Sequence, residues 1–126
     1  KKRRMGSYYT EKLCEIDGLI LPLEKTDYAD NIYWVYGIVL DKNINVDNKV
    51  MQKLLAEEGI SSRTFFWCMH EQPVYKKQGL FVNETYPNAE YLARKGFYIP
   101  SGLALTEEQM EQVVEGVKNV MRKITG

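Results

Sequence analysis

The residues best suited to chemistry lie near the middle of the chain, around its single histidine, His70. A neutral imidazole can donate a hydrogen bond or move a proton. A lone histidine is usually structural or lies at the surface. His70, however, stands at the start of a long predicted loop, and binding residues gather on such loops. A structural role and a functional role are therefore equally open for His70.

The two cysteines, Cys14 and Cys68, are the other reactive side chains. Cys68 lies two residues before His70, so on a strand both side chains would face the same side. A zinc site needs three or four ligands, and the sequence holds no second cysteine–histidine pair. We therefore predict no metal site. Two cysteines also make no disulfide framework, which predicts free thiols in a reduced, cytoplasmic setting.

Arg63 precedes three consecutive aromatic residues, Phe65, Phe66 and Trp67. One interpretation is an arginine that binds an anion beside an aromatic platform. A second is a strand that stacks RNA bases on its aromatic rings. The third is a core strand with a surface arginine, and composition alone favours that one. No glycine-rich phosphate loop or nucleophile-elbow serine motif occurs elsewhere, so the residues alone do not define a reaction.

Composition limits the class of protein. The chain has 126 residues, of which 44% are hydrophobic and 27% charged, as in an ordinary globular domain and unlike a disordered chain. Its net charge is zero, which argues against a dedicated nucleic-acid binder. The basic run at residues 1–4 could be a nucleic-acid patch or a localisation signal, but the balanced charge favours a solvated helix start or the exposed end of a longer helix. No apolar run approaches the ~20 residues of a membrane helix, and no signal peptide is visible.

The elements that would position these residues follow from periodicity and capping signals. Apolar residues at every fourth position predict a helix over residues 1–13. Residues 32–40 and 61–68 have strand composition, and both faces of the first are apolar, so it should be covered on both sides. Between them, Asp47 is a predicted N-cap and Gly59 a predicted C-terminal glycine of a helix.

The second half of the chain predicts one long loop and two more helices. Residues 69–87 read as an irregular connection. A short helix over 88–94, closed by Gly96, leads into a strand at 97–99. Thr106 and Gln109 form a predicted capping box for the last helix. The alternation of helices and strands predicts an α/β domain with a three-stranded sheet packed against about four helices.

Residues 63–75 resemble the small-domain signature of the DegT/DnrJ/EryC1/StrS sugar aminotransferases. Similar stretches downstream, at 86–90 and 96–109, extend the resemblance over nearly the whole chain. Within that family the signature looks most like that of the perosamine synthetases; Cys68 departs from it where many relatives have proline. The matching pieces are Glu58-Gly59-Ile60, Ser62-Arg63, Phe65-Phe66-Trp67, Met69-His70 and Gln72-Pro73-Val74-Tyr75.

The resemblance implies a fold and an activity. The expected architecture is the α+β C-terminal domain of the aspartate aminotransferase fold, with a mainly antiparallel sheet. Residues 1–126 would form one small domain of a larger enzyme, and residues 1–16 would link it to a large domain outside this sequence. The implied activity is transfer of an amino group from glutamate to a nucleotide-linked 4-keto-6-deoxy sugar, in a cytoplasmic homodimer.

The resemblance also implies the cofactor and the site. Pyridoxal 5′-phosphate (PLP) would be held by a lysine of the large domain, so this chain alone is expected to bind no PLP and to be inactive. His70, Arg63, Phe66 and Trp67 are the expected substrate-binding residues, with no catalytic residue in this chain. The alternative is a free-standing, non-catalytic module that binds a small ligand or RNA.

Overall fold

The computed structural model describes residues 1–126 and contains five α-helices, a 3-10 turn and four strands. The elements are α1 (Lys2–Leu13), β1 (Leu19–Ile20), β2 (Tyr36–Leu40), α2 (Asn48–Glu57), β3 (Arg63–Thr64), the 3-10 turn Met69–Glu71, α3 (Pro73–Lys77), α4 (Pro87–Lys95), β4 (Gly96–Ile99) and α5 (Glu107–Thr125). No helix is long and apolar enough to cross a bilayer.

The sheet is antiparallel with the order β1-β2-β4-β3. The predicted α/β class and the antiparallel pairing are confirmed, but the predicted count of three strands is wrong. The fourth strand, β1, is only two residues long and pairs Leu19 with Leu40 and Ile20 with Val39. A strand of two residues is too short to show a periodicity of apolar residues, so the sequence pattern does not predict it. β3 forms the opposite edge of the sheet.

Both predicted long strands are shorter in the structure. The strand expected at 32–40 begins only at Tyr36, because Tyr33 adopts a left-handed backbone with φ of 51°. Ile32 and Trp34 therefore lie outside the ladder, 64% and 69% exposed. The strand expected at 61–68 is reduced to Arg63–Thr64, and pairing ends where the Phe65 N–H donates to the Gly96 carbonyl at 2.9 Å.

The core lies between one face of the sheet and the helices. Eighteen buried residues form it, with β2 and β4 contributing Tyr36, Ile38, Leu40, Phe97 and Ile99. The apolar residues at every fourth position of α1, Met5, Tyr9 and Leu13, are buried as predicted. The last helix, α5, buries an apolar stripe of Met110, Val113, Val114, Val117 and Met121. The other face of β2 is only half-buried, so the expected covering on both sides is met in part.

The capping signals agree well with the structure. The Asp47 carboxylate accepts hydrogen bonds from the N–H groups of Lys49 and Val50, and Gly59 has the positive φ of 77° that ends α2. The Thr106–Gln109 capping box is present. Gly96 caps the C-terminal end of α4, as predicted, and is also the first residue of β4. One detail was wrong: the connection 69–87, expected to be irregular, contains the 3-10 turn and α3.

Candidate functional site

A cleft lies at the free edge of the sheet, beside β3. It encloses about 430 Å³ and is lined by Trp34, Gln52, Arg63, Phe66 and Tyr98, among others. The early end of the β3–β4 ladder releases Phe66 outward, where it is 76% exposed and meets the Tyr98 ring edge-on at 6.3 Å. The cleft is therefore walled by aromatic side chains that the fold leaves open to solvent.

Arg63 is the only charged side chain of this cleft. It is exposed and forms none of the seven ion pairs of the chain. Its backbone is fixed by pairing with Tyr98 on β4. A guanidinium without an internal partner, held beside aromatic rings, can bind a phosphate or carboxylate through paired N–H groups.

Two glycines of the sheet leave room for an aromatic ring to pack on its face. The Phe65 ring lies over Gly37 and Gly96, and a Cβ built on Gly96 would fall 2.3 Å from that ring. Phe65 also stacks on Tyr98 with ring centroids 4.8 Å apart. A side chain at position 96 would push Phe65 away and disturb the floor of the cleft.

His70 lies in a second cluster, on the 3-10 turn that follows the aromatic run. It is 8% exposed, and its Nε2 lies 2.8 Å from Oε1 of Glu90 on α4. The ring of Tyr86 meets the imidazole edge-on at 4.9 Å. The Tyr86 N–H donates to the same Glu90 oxygen at 2.9 Å. These contacts hold the imidazole at the junction between the 3-10 turn and the start of α4.

Trp67 belongs to this second cluster through Arg94. The Arg94 guanidinium lies 4.7 Å from the centre of the Trp67 ring and pairs with Glu71 at 2.7 Å. Lys49 approaches the same ring at 5.7 Å. The hydrogen bond from Arg94 lowers the pKa of Glu71. Two cations thus cover Trp67, which leaves it 40% exposed.

The structure adds one possible ligand to the cysteine–histidine pair. Atoms of Cys68, His70 and Glu71 lie within 4.8 Å of one another. Arg94, however, already supplies a positive charge to Glu71, and a second cation would be repelled. Cys68 is buried, and that burial raises the pKa of its thiol, which works against the thiolate that a metal needs. The absence of a metal site stays a prediction.

The four expected site residues thus divide into two groups. Arg63 and Phe66 line the edge cleft, whereas Trp67 and His70 belong to the cluster against α4. Two residues were missed: Trp34, which lines the cleft, and Glu90, which bonds His70. Pro87 at the start of α4, with an acidic residue in its first turn, was a readable signal for Glu90. Nothing local predicted that Trp34 would face outward.

The chain belongs to the DegT/DnrJ/EryC1/StrS aminotransferase family, whose sequence model matches residues 1–118. The expected family resemblance is therefore confirmed. Enzymes of this family are PLP-dependent aminotransferases. The GDP-perosamine synthase of Vibrio cholerae is 26% identical over 119 residues, which make up 94% of this chain and 31% of that protein. The chain thus spans about a third of the length of the curated relatives it matches.

Solved structures agree with the fold. The aminotransferase TlmJ from Streptoalloteichus hindustanus matches with a TM-score of 0.84 at 21% identity, over 99% of this chain and 32% of that one. Spr1654 from Streptococcus pneumoniae, in its PLP form, also matches with a TM-score of 0.84, at 18% identity over 99% of this chain and 32% of that one. At these identities the likeness establishes the architecture.

The cleft beside Arg63 does not by itself fit PLP. PLP enzymes bind the cofactor through a lysine in a cleft, and no lysine lines the cleft beside Arg63. Two half-buried lysines donate hydrogen bonds to backbone carbonyls outside any such site. Lys95 donates to the backbone carbonyls of Ile44 and Val46, and Lys2 donates to that of Trp34.

Proposed function

We propose that residues 1–126 form the C-terminal small domain of a PLP-dependent aminotransferase, and that they supply one wall of its substrate pocket. The enzyme would move an amino group from glutamate to a nucleotide-linked 4-keto-6-deoxy sugar of the perosamine type. One observation carries the proposal: an arginine without an internal partner lies among exposed aromatic rings, in a chain of an aminotransferase family.

Each site residue has a role that its surroundings support. Arg63 would bind the diphosphate of the nucleotide sugar, because its guanidinium is exposed and unpaired. Phe66, with Trp34, would pack against the flat or apolar parts of the substrate. Trp67, whose ring is covered by Lys49 and Arg94, would shape the pocket. His70 would lie near the sugar.

The remaining parts of the enzyme would lie outside this chain. The lysine that holds PLP would belong to a large domain joined through residues 1–16, and the parent would be a cytoplasmic homodimer. The exposed aromatic side chains that line the cleft together, Trp34 and Phe66, support this arrangement, since a contiguous exposed apolar patch marks a contact surface. No observation favours a free-standing RNA-binding module, because Lys2 and Arg4 of the basic run bond within the chain.

Replacement of Arg63 tests the pocket assignment. In the enzyme that contains this chain, Arg63→Ala should raise the KM for the nucleotide sugar by about 10- to 100-fold, the worth of a hydrogen bond to a charged group. The KM for glutamate should change little. Arg122→Ala, an exposed arginine on α5, is the matched control. Equal kinetics for the two variants would remove Arg63 from the substrate site.

A further inference from the structure

We propose that Glu90 is a positioning residue that holds His70 in a single tautomer, with Nε2 protonated and Nδ1 left as a hydrogen-bond acceptor for the substrate. This inference rests on the proposed function only in its last step, the nature of the group that Nδ1 meets. The assignment of the tautomer rests on the contacts of the chain itself.

The protonation state follows from the chemistry of Glu90. The backbone N–H of Tyr86 is the main cause that lowers the pKa of Glu90, and the bond from His70 is the second. Glu90 is therefore ionised at neutral pH, and an ionised carboxylate only accepts hydrogen bonds. At 2.8 Å from that oxygen, Nε2 must carry the hydrogen.

The second ring nitrogen has no partner in the chain. No side chain or backbone group bonds Nδ1, and this atom is not among the fully buried polar atoms that lack a partner. It therefore reaches the surface of a ring that is otherwise 8% exposed. In the neutral imidazole this nitrogen is the acceptor, which suits a hydroxyl or ammonium group.

The position of the imidazole is fixed by two contacts from one helix face. Glu90 and Arg94 lie one turn apart on α4, and they bond the consecutive residues His70 and Glu71 at 2.8 and 2.7 Å. The Tyr86 N–H donates to the same oxygen of Glu90 and so helps to fix that carboxylate. The imidazole of His70 therefore cannot rotate without breaking its charge-assisted hydrogen bond to Glu90.

The single histidine makes the tautomer directly measurable. A two-dimensional nitrogen–proton spectrum of the imidazole, taken on the 126-residue chain at a pH where the ring is neutral, contains signals from His70 alone. Wild type should show one tautomer, with hydrogen on Nε2 and slow exchange of that hydrogen with water. Glu90→Gln should keep this pattern, because the Tyr86 N–H holds an amide oxygen in the same place.

Glu90→Ala should admit the second tautomer and speed exchange of the Nε2 hydrogen. Glu108→Gln is the matched control, since Glu108 is also in the first turn of a helix but bonds no histidine. Circular dichroism confirms that each variant is folded. Hydrogen on Nδ1 in wild type, a mixed population there, or an unchanged spectrum in folded Glu90→Ala would each overturn the inference.

Kinetics of the enzyme that contains this chain separate the two proposals. Glu90→Ala should raise the KM for the nucleotide sugar about tenfold with a smaller change in kcat, and Glu90→Gln should restore it. A single tautomer in an enzyme without aminotransferase activity would refute the proposed function alone. An active enzyme whose wild-type His70 carries hydrogen on Nδ1 would refute the role of Glu90 alone.

Discussion

Asn48 connects α2 to the C-terminal end of α4, the helix whose Glu90 bonds His70. Replacing Asn48 therefore gives a quantitative test of how this connection stabilises the fold. The side chain is 2% exposed, and its amide donates to the carbonyls of Ala93 and Gly96 at 2.8 and 2.7 Å. Two such bonds contribute about 1 to 3 kcal/mol together. Because the Gly96 oxygen keeps its bond from the Phe65 N–H, we expect Asn48→Ala to lower the free energy of unfolding by about 2 kcal/mol.

Urea unfolding followed by circular dichroism measures this loss, with the exposed Asn43→Ala as control. Asn48→Asp gives a second arm. A protonated aspartic acid can still donate one hydrogen bond to a carbonyl oxygen. The ionised carboxylate has no hydrogen to donate and faces two carbonyl oxygens, so the Asn48→Asp variant should lose more stability as pH rises. A loss below about 0.5 kcal/mol for Asn48→Ala, or equal losses for Asn48 and Asn43, would refute this reasoning.

Three further predictions concern stability and reactivity. Gly6→Ala should lower the free energy of unfolding, measured in urea, by about 1 to 3 kcal/mol, because the added Cβ would lie 2.4 Å from a tyrosine ring. A Cβ added at Gly102 meets no atom, so Gly102→Ala should leave the free energy of unfolding unchanged. A thiol reagent should modify exposed Cys14 quickly and Cys68 only on unfolding, since Cys68 is buried and its pKa is raised; equal rates would contradict this. Hydrogen bonds from lysine and asparagine lower the pKa of Glu58 below its ordinary 4.5. The stability that the ionised Glu58 contributes is therefore complete above pH 4.5 and is lost as the pH falls through the lowered value. In an acid titration, the free energy of unfolding of Glu58→Gln should decline less steeply than that of wild type, and an identical decline would refute the assignment.

Strong local signals predicted most of the helices. Thr106 with Gln109 and the apolar stripe of α5 define one helix almost completely, because capping and periodicity are local properties. The strands were harder to predict. Aromatic composition at 32–40 predicted pairing throughout, but Tyr33 turns out of the ladder with φ of 51°, where the side chain of Asn31 accepts from its N–H.

The candidate site shows the same limit. Residues of one motif separate into two clusters, because β3 stops after Thr64 and the chain turns into the 3-10 helix. The sequence predicted that His70 begins a loop, but its partner Glu90 is twenty residues further along the chain. The contact between these two residues depends on how α4 packs against the 3-10 turn. Trp34 lies even further from Arg63 in sequence. Such contacts follow from tertiary packing, which periodicity does not encode.

The most direct test of the central claim is an amino-transfer assay on the polypeptide encoded by the complete reading frame that contains residues 1–126. The protein is supplied with PLP, glutamate and a nucleotide-linked 4-keto-6-deoxy sugar, and the products are analysed by mass spectrometry. The account predicts an amino sugar and 2-oxoglutarate in equal amounts, with the 126-residue chain alone inactive. No amino sugar from the complete protein, with PLP bound and a panel of keto sugars offered, would contradict it.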